Sequence, residues 1–209
     1  MTVDPPLMDG PVARDRGLPF TTRMAPGARW SGRCEAVWWW RASNERGWNT
    51  VATLHLMVGL PCSGKTTLAR DLEVRHNALR LTLDDWHIYL FGLDFGDDMD
   101  AKAEAQHTVR HKAVEAVVWA VAAKVLVLGV DVVLDFGCWA RGERDDYRLR
   151  ARQLGVDFRI HYTEESEEVL LERLTVRNAQ LPESTFYIPE GKLKEWMRLF
   201  EPPSQDELQ

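Results

Sequence analysis

The regular alternation of apolar and polar stretches begins at residue 51. Residues 51–58, Val-Ala-Thr-Leu-His-Leu-Met-Val, are a short, mostly apolar run that reads as a buried strand. A glycine-containing turn occupies 59–67, and 68–76 continues as a helix. Residues 78–83 read as a second strand, closed by Asp84 and Asp85, and 86–98 as an aromatic and acidic connection. Residues 99–128 carry a long helical pattern, with Val109, Ala113, Ala116, Val117, Ala120 and Val121 near one face and Gly129 as its stop. A third strand follows at 130–136, although 125–128 fits either strand or helix. Then come a helix at 142–154, a strand at 156–162 and a helix at 166–180 started by Ser166. A loop at 182–189, a helix at 190–200 and a polar tail at 201–209 complete the chain.

Near-continuous apolar strands alternating with helices predict an α/β domain over 51–200, with a parallel sheet covered on both faces. Ligands in such sheets sit beyond the carboxyl ends of the strands. The segments to inspect are therefore 59–67, 84–98, 136–144 and 163–166.

Residues 1–50 break this pattern. They hold five of the 10 prolines, five of the 14 glycines, five of the nine tryptophans, seven arginines and no lysine. One reading is a disordered extension. A sharper one is that most of it is translated non-coding sequence, with Val51 as the true start. A Met1 N-terminus in native protein overturns that second reading.

Composition narrows the function. With 45% hydrophobic and 28% charged residues in 209, the chain suits one soluble domain. A net charge of -6 gives no global help in holding a polyanion, which makes nucleic acid an unlikely partner. Cys34, Cys62 and Cys138 have no paired spacing, so reduced thiols and a cytoplasmic location are expected. No apolar run is long enough to span a bilayer. The six histidines show no metal-ligand spacing; His107 and His111 read as helix-surface residues.

The turn at 59–67 is Gly59-Leu60-Pro61-Cys62-Ser63-Gly64-Lys65-Thr66-Thr67, the G-x-x-x-x-G-K-[ST] pattern of a phosphate-binding (Walker A) loop, placed between strand and helix as the pattern requires. The glycines let backbone N–H groups point at phosphates, and the helix behind adds its dipole. Lys65 can reach the β- and γ-phosphates of ATP, Thr66 can ligate Mg²⁺, and Thr67 can bond the α-phosphate. Asp84 suits a general base for a substrate hydroxyl, with Asp85 as the alternative. Asp135, at the end of the third apolar strand, resembles a Walker B carboxylate that holds Mg²⁺, or equally a strand-end carboxylate that hydrogen-bonds a neighbouring loop. Arg173 and Arg177 share a helix face, where they can close over a transferring phosphoryl group or simply pair with neighbouring glutamates. Arg141 and Arg144 are candidate anion ligands, or equally surface or salt-bridged arginines, and Trp86 and His87 are candidate pocket residues, or equally the core of a small helical flap.

These residues together resemble the small P-loop kinase-like ATPases of the AAA_33 family. The resemblance rests on Gly59–Thr67, Leu81-Thr82-Leu83-Asp84-Asp85-Trp86, the 129–144 stretch, and Glu172-Arg173 with Arg177. That group is similar to chloramphenicol phosphotransferases, zeta-toxin-type kinases and the kinase domain of polynucleotide kinases. It implies a three-layer P-loop NTPase fold with strand order 2-3-1-4, ATP–Mg²⁺ as phosphoryl donor, Asp84 as base and Arg177 as lid arginine. The expected activity is transfer to a hydroxyl of a small molecule, antibiotic or sugar-like. Two alternatives stand beside it: a polynucleotide 5′-hydroxyl kinase, and a nucleotide-gated regulatory protein with only ATPase activity.

Overall fold

A computed structural model describes residues 51–96, 99–181 and 185–208. The expected N-terminal extension, Asp97 and Asp98 of the acidic connection and part of the loop at 182–189 lie outside the described residues. Within them run β1 (Thr53–Val58), α1 (Lys65–His76), β2 (Leu79–Thr82), α2 (Leu83–Phe91) and α3 (Ala101–Val127). They are followed by β3 (Val132–Asp135), α4 (Arg141–Leu154), β4 (Asp157–Tyr162), α5 (Glu167–Ala179) and α6 (Glu190–Leu199). The four strands form a parallel sheet in the order β2-β3-β1-β4. Register aligns the strand ends: Val58 faces Tyr162, and Thr82 faces Asp135. Four carboxyl-end loops thus open on one edge.

Alternation along β1 divides the core. Leu54, Leu56 and Val58 pack with Val114, Val118, Ala122 and Leu126 of α3 and with Tyr147 and Ala151 of α4. Met57 packs with Val133 and with Ala69 and Leu72 of α1. A third, smaller cluster joins Leu170 and Leu174 of α5 to Ile188 and Leu193, with Leu60 and Cys62 of the phosphate loop against it. No helix among the described residues is long and apolar enough to cross a membrane.

Two sequence expectations are corrected here. The buried stripe of α3 is Val114, Val118, Ala122 and Leu126; Val109 and Val117 are exposed, as are Ala113, Ala116 and Ala120. This helix carries alanine and valine nearly all round, so spacing alone did not select its inner face. The sheet selects it, through Leu54, Leu56 and Leu134. The ambiguous stretch at 125–128 is helical through Val127, with Gly129 at φ 82 making the turn. Part of the expected connection after Asp85 is instead α2, which ends at Gly92 (φ 77).

The polar segment after α6 folds back over the loop that leaves β3. Glu207 is 4% exposed and accepts from Arg144 Nε at 2.7 Å and Nη2 at 3.1 Å. Arg144 Nη1 donates to the carbonyls of Cys138, Trp139 and Glu201. One fully buried guanidinium thereby closes the β3–α4 loop and holds the tail.

Candidate active site

The phosphate loop turns because its backbone sits where most side chains do not go. Gly64 takes φ 94, Gly59 φ 147, and Cys62 φ 67 despite its side chain. A Cβ on Gly59 would lie 2.6 Å from the Thr163 carbonyl oxygen, so no other residue fits beside β4. A Cβ on Gly64 would meet nothing within 4 Å, because the space before it is the open cradle. Ser63 Oγ braces the turn, donating to Leu60 O at 2.8 Å and lying 2.7 Å from Thr163 Oγ1. On the opposite side, Gly59 N donates to Gly137 O, and Trp139 Nε1 to Gly59 O at 3.3 Å.

The Lys65 ammonium folds inward and donates to Leu60 O at 2.6 Å. Burial pulls its pKa down to about 8, against the raising influence of Asp135 and Asp84. Asp135 lies at the end of β3, buried, and bonded by Thr66 and by Thr82 Oγ1 at 3.3 Å; burial raises its pKa. Thr66 and Asp135 are therefore neighbouring oxygen donors of the kind a hard divalent cation takes.

Asp84 and Asp85 lie in the first turn of α2. Both face a cleft of about 1210 Å³ that also includes the phosphate loop, Asp135, Arg173 and Arg177. Asp84 is half-exposed, and His111 Nε2 lies 4.0 Å from its Oδ1. Burial lowers the His111 pKa, while Asp84 works against that shift. His111 is a cleft residue that its sequence context presents as helix surface; its only signal was the i,i+4 spacing from His107.

The α5 arginines have different partners. Arg173 donates to Cys62 O at 3.1 Å and pairs with Glu165 at 2.8 Å. Arg177 donates to Phe186 O at 3.3 Å and lies 3.8 Å from Cys62 Sγ, with no carboxylate pairing it among the described residues. Its charge is close enough to depress Lys65 further. Two cations, Lys65 and Arg177, thus line the same cleft.

Other candidates lie elsewhere. Arg144 is fully buried against Glu207 and cannot meet a ligand; Arg141 pairs with Asp206 at 2.7 Å on the outside. Trp86 packs against the main core. His87 is buried, with Nε2 2.8 Å from Asp94 Oδ1. His107 is not a surface residue as expected: its Nδ1 lies 2.7 Å from the same oxygen, and Arg110 holds the other at 2.9 Å. This network, chiefly through the bonds from His107, Arg110 and His87, outweighs burial and holds the Asp94 carboxyl down at about 2.

Comparison with known proteins agrees with this fold. The family model AAA_33, an AAA domain, matches residues 54–203. Similar folds include a provisionally assigned kinase from Chloroflexus aurantiacus J-10-fl, at 19% identity and TM-score 0.56, covering 71% of this chain and 76% of that one. Kti12 from Chaetomium thermophilum, in complex with ADP-AlF3, aligns at 18% identity and TM-score 0.54, covering 72% and 81%. A gluconokinase from Sinorhizobium meliloti 1021 aligns at 18% identity and TM-score 0.51, covering 76% and 80%. No curated protein matches the chain in sequence.

Proposed function

Since the chain belongs to the AAA_33 family of AAA domains, we propose that it moves the γ-phosphoryl group of ATP to a hydroxyl of a small molecule. The observation that carries this reading is Asp84: a half-exposed carboxylate in electrostatic reach of Lys65, across the same cleft from Arg177. Phosphoryl transfer asks little covalent chemistry of a protein and much positioning. Asp84 accepts the proton of the attacking hydroxyl, which lines up against the phosphate loop. The backbone of 61–66 cradles the phosphates, Thr67 borders the α-phosphate, and Lys65 leaves the Leu60 carbonyl to meet the negative oxygens. Arg177 stabilises the charge that develops in transfer, and Arg173 steadies the loop. Thr66 and Asp135 would hold Mg²⁺, which when bound supplies a divalent charge to the phosphate oxygens.

The acceptor side carries Asp84 and Asp85 beside His107 and His111. Two carboxylates favour a neutral or cationic acceptor, antibiotic or sugar-like, over a polynucleotide.

Phosphoryl transfer from ATP to a panel of hydroxyl compounds, compared between wild type and Asp84→Asn, tests the assignment. Transfer should fall at least about 10²-fold with nucleotide binding retained. Full activity in Asp84→Asn rejects Asp84 as base. ATP binding with no acceptor phosphorylated favours a nucleotide-gated regulatory protein.

Lys65 gives a second expectation. Its ammonium deprotonates near pH 8 in the free protein, and only the charged form attracts phosphate. Nucleotide affinity should fall by up to about tenfold per pH unit above that point. Calorimetric titration at pH 7, 8 and 9 reads it, and an affinity flat over that range contradicts it.

A further inference from the structure

All six histidines fall into two clusters, one beside the cleft and one far from it. The distant cluster lies on the α1 face of the sheet, at the end of α1 opposite the phosphate loop. His55 comes from the middle of β1, His76 from the last turn of α1, and Asp131 from the residue just before β3. We propose that His55, His76 and Asp131 form a binding site for a divalent transition ion, and that Zn²⁺ is the ion its donor set selects.

The spacing of the donors carries the proposal. His55 Nε2 lies 3.7 Å from Asp131 Oδ2, and His76 Nδ1 lies 3.8 Å from the same oxygen. Both are too long for hydrogen bonds. Ligands at about 2.0–2.1 Å around a tetrahedral Zn²⁺ stand roughly 3.3–3.4 Å apart, so each histidine–Asp131 edge is within a few tenths of an ångström of that span, and all three donor atoms lie within 4.8 Å of one another. His55 is 1% exposed, and its Nε2, the atom aimed into this gap, has no hydrogen-bond partner. A buried ring nitrogen left in that state is costly unless something takes its lone pair.

The surroundings fit a ligating imidazole. His55 Nδ1 lies 2.9 Å from His161 Nε2 on β4. With the ion on Nε2, Nδ1 carries the proton and donates it to His161, the outer contact that orients metal-binding histidines. Asp131 is anchored too, its Oδ1 accepting from Thr53 N at 2.8 Å, which leaves Oδ2 turned to the two rings. His76 is about a third exposed, so water can fill the fourth position.

The other cluster shows what a closed network looks like. There the rings of His87 and His107 are within 2.8 Å of Asp94 Oδ1, Arg110 holds Oδ2, and the unpartnered nitrogen of His87 is the one that does not engage Asp94. Both carboxylate oxygens are already taken by hydrogen bonds. In the β1 cluster an ion would tie the far end of α1 to two strands, holding the helix that begins at the phosphate loop.

The test uses the full chain, stripped with chelator and free of nucleotide. Co²⁺ is titrated as a spectroscopic stand-in, and Zn²⁺ is then added in competition. Expected are uptake of one Co²⁺ with the intense visible absorption of a four-coordinate ion, displacement by Zn²⁺, and a higher Tm with Zn²⁺. The outer-contact variant His161→Phe should bind about 10–100-fold more weakly. His76→Ala, at a surface ligand, should lose more than that while keeping its circular dichroism. His107→Ala and Asp135→Asn should still take up one ion. Binding that survives His76→Ala, disappears in His107→Ala or Asp135→Asn, or lacks four-coordinate absorption overturns the proposal.

Discussion

Arg177→Ala should slow phosphoryl transfer by about 10³–10⁵-fold, a barrier increase of roughly 4–7 kcal/mol, with ATP affinity changed far less. The reason is the difference between the two α5 arginines. Arg173 already spends its charge on Glu165 and its N–H on Cys62 O, so it serves the loop's shape. Among the described residues Arg177 holds a carbonyl oxygen and a sulfur, with no carboxylate, and its charge bears on Lys65. Such a cation gains most when negative charge spreads over the phosphoryl oxygens, which happens in the transition state rather than on binding. Arg177→Lys should recover little, since a point charge does not reproduce the planar fork. Single-turnover rates at saturating ATP, with binding measured separately, read the effect. A loss no larger than that of Arg173→Ala rejects the assignment.

Glu207→Ala should destabilise the fold by about 3–5 kcal/mol, because it leaves the fully buried Arg144 guanidinium without its counter-charge. Replacing both partners with leucine should cost much less, since the desolvated charge disappears with its counter-charge. The pair also predicts acid sensitivity. Its bonds with Arg144 and Ser204 lower the Glu207 pKa to about 2, below its value in the unfolded chain. The stabilisation is complete above about pH 5 and is lost as pH falls through the native value near 2. Urea unfolding of wild type, Glu207→Ala and the double leucine variant checks this at neutral pH. A single variant within about 1 kcal/mol of wild type would contradict it.

What the sequence made legible was local. The phosphate loop, the strands before Asp84 and Asp135, and the order of elements could be read because each signal lies within a dozen neighbouring residues. For Arg144 the sequence left anion ligand and salt-bridged arginine both open, because its partner is 63 residues away and nothing near Cys138 indicates that a C-terminal glutamate will cover it. The α3 face was misread because alanine and valine satisfy two registers, and only the packed sheet discriminates between them. The group of His55, His76 and Asp131 was invisible for a further reason. Its donors come from the middle of a strand, a helix end and a pre-strand turn, a convergence that topology makes and spacing does not encode.

The Arg144–Glu207 pair also bears on how the molecule is made. The loop that places Gly137 and Trp139 against Gly59 is held by Arg144, and Arg144 is neutralised by a residue synthesised 63 positions later. During translation the sheet and the phosphate loop can leave the ribosome and fold, yet one wall of the cleft stays unsecured until residue 207 is clear of the exit tunnel. The site is therefore complete only after residue 207 is free to fold back, although the motif that defines the site is among the first parts of the domain to emerge.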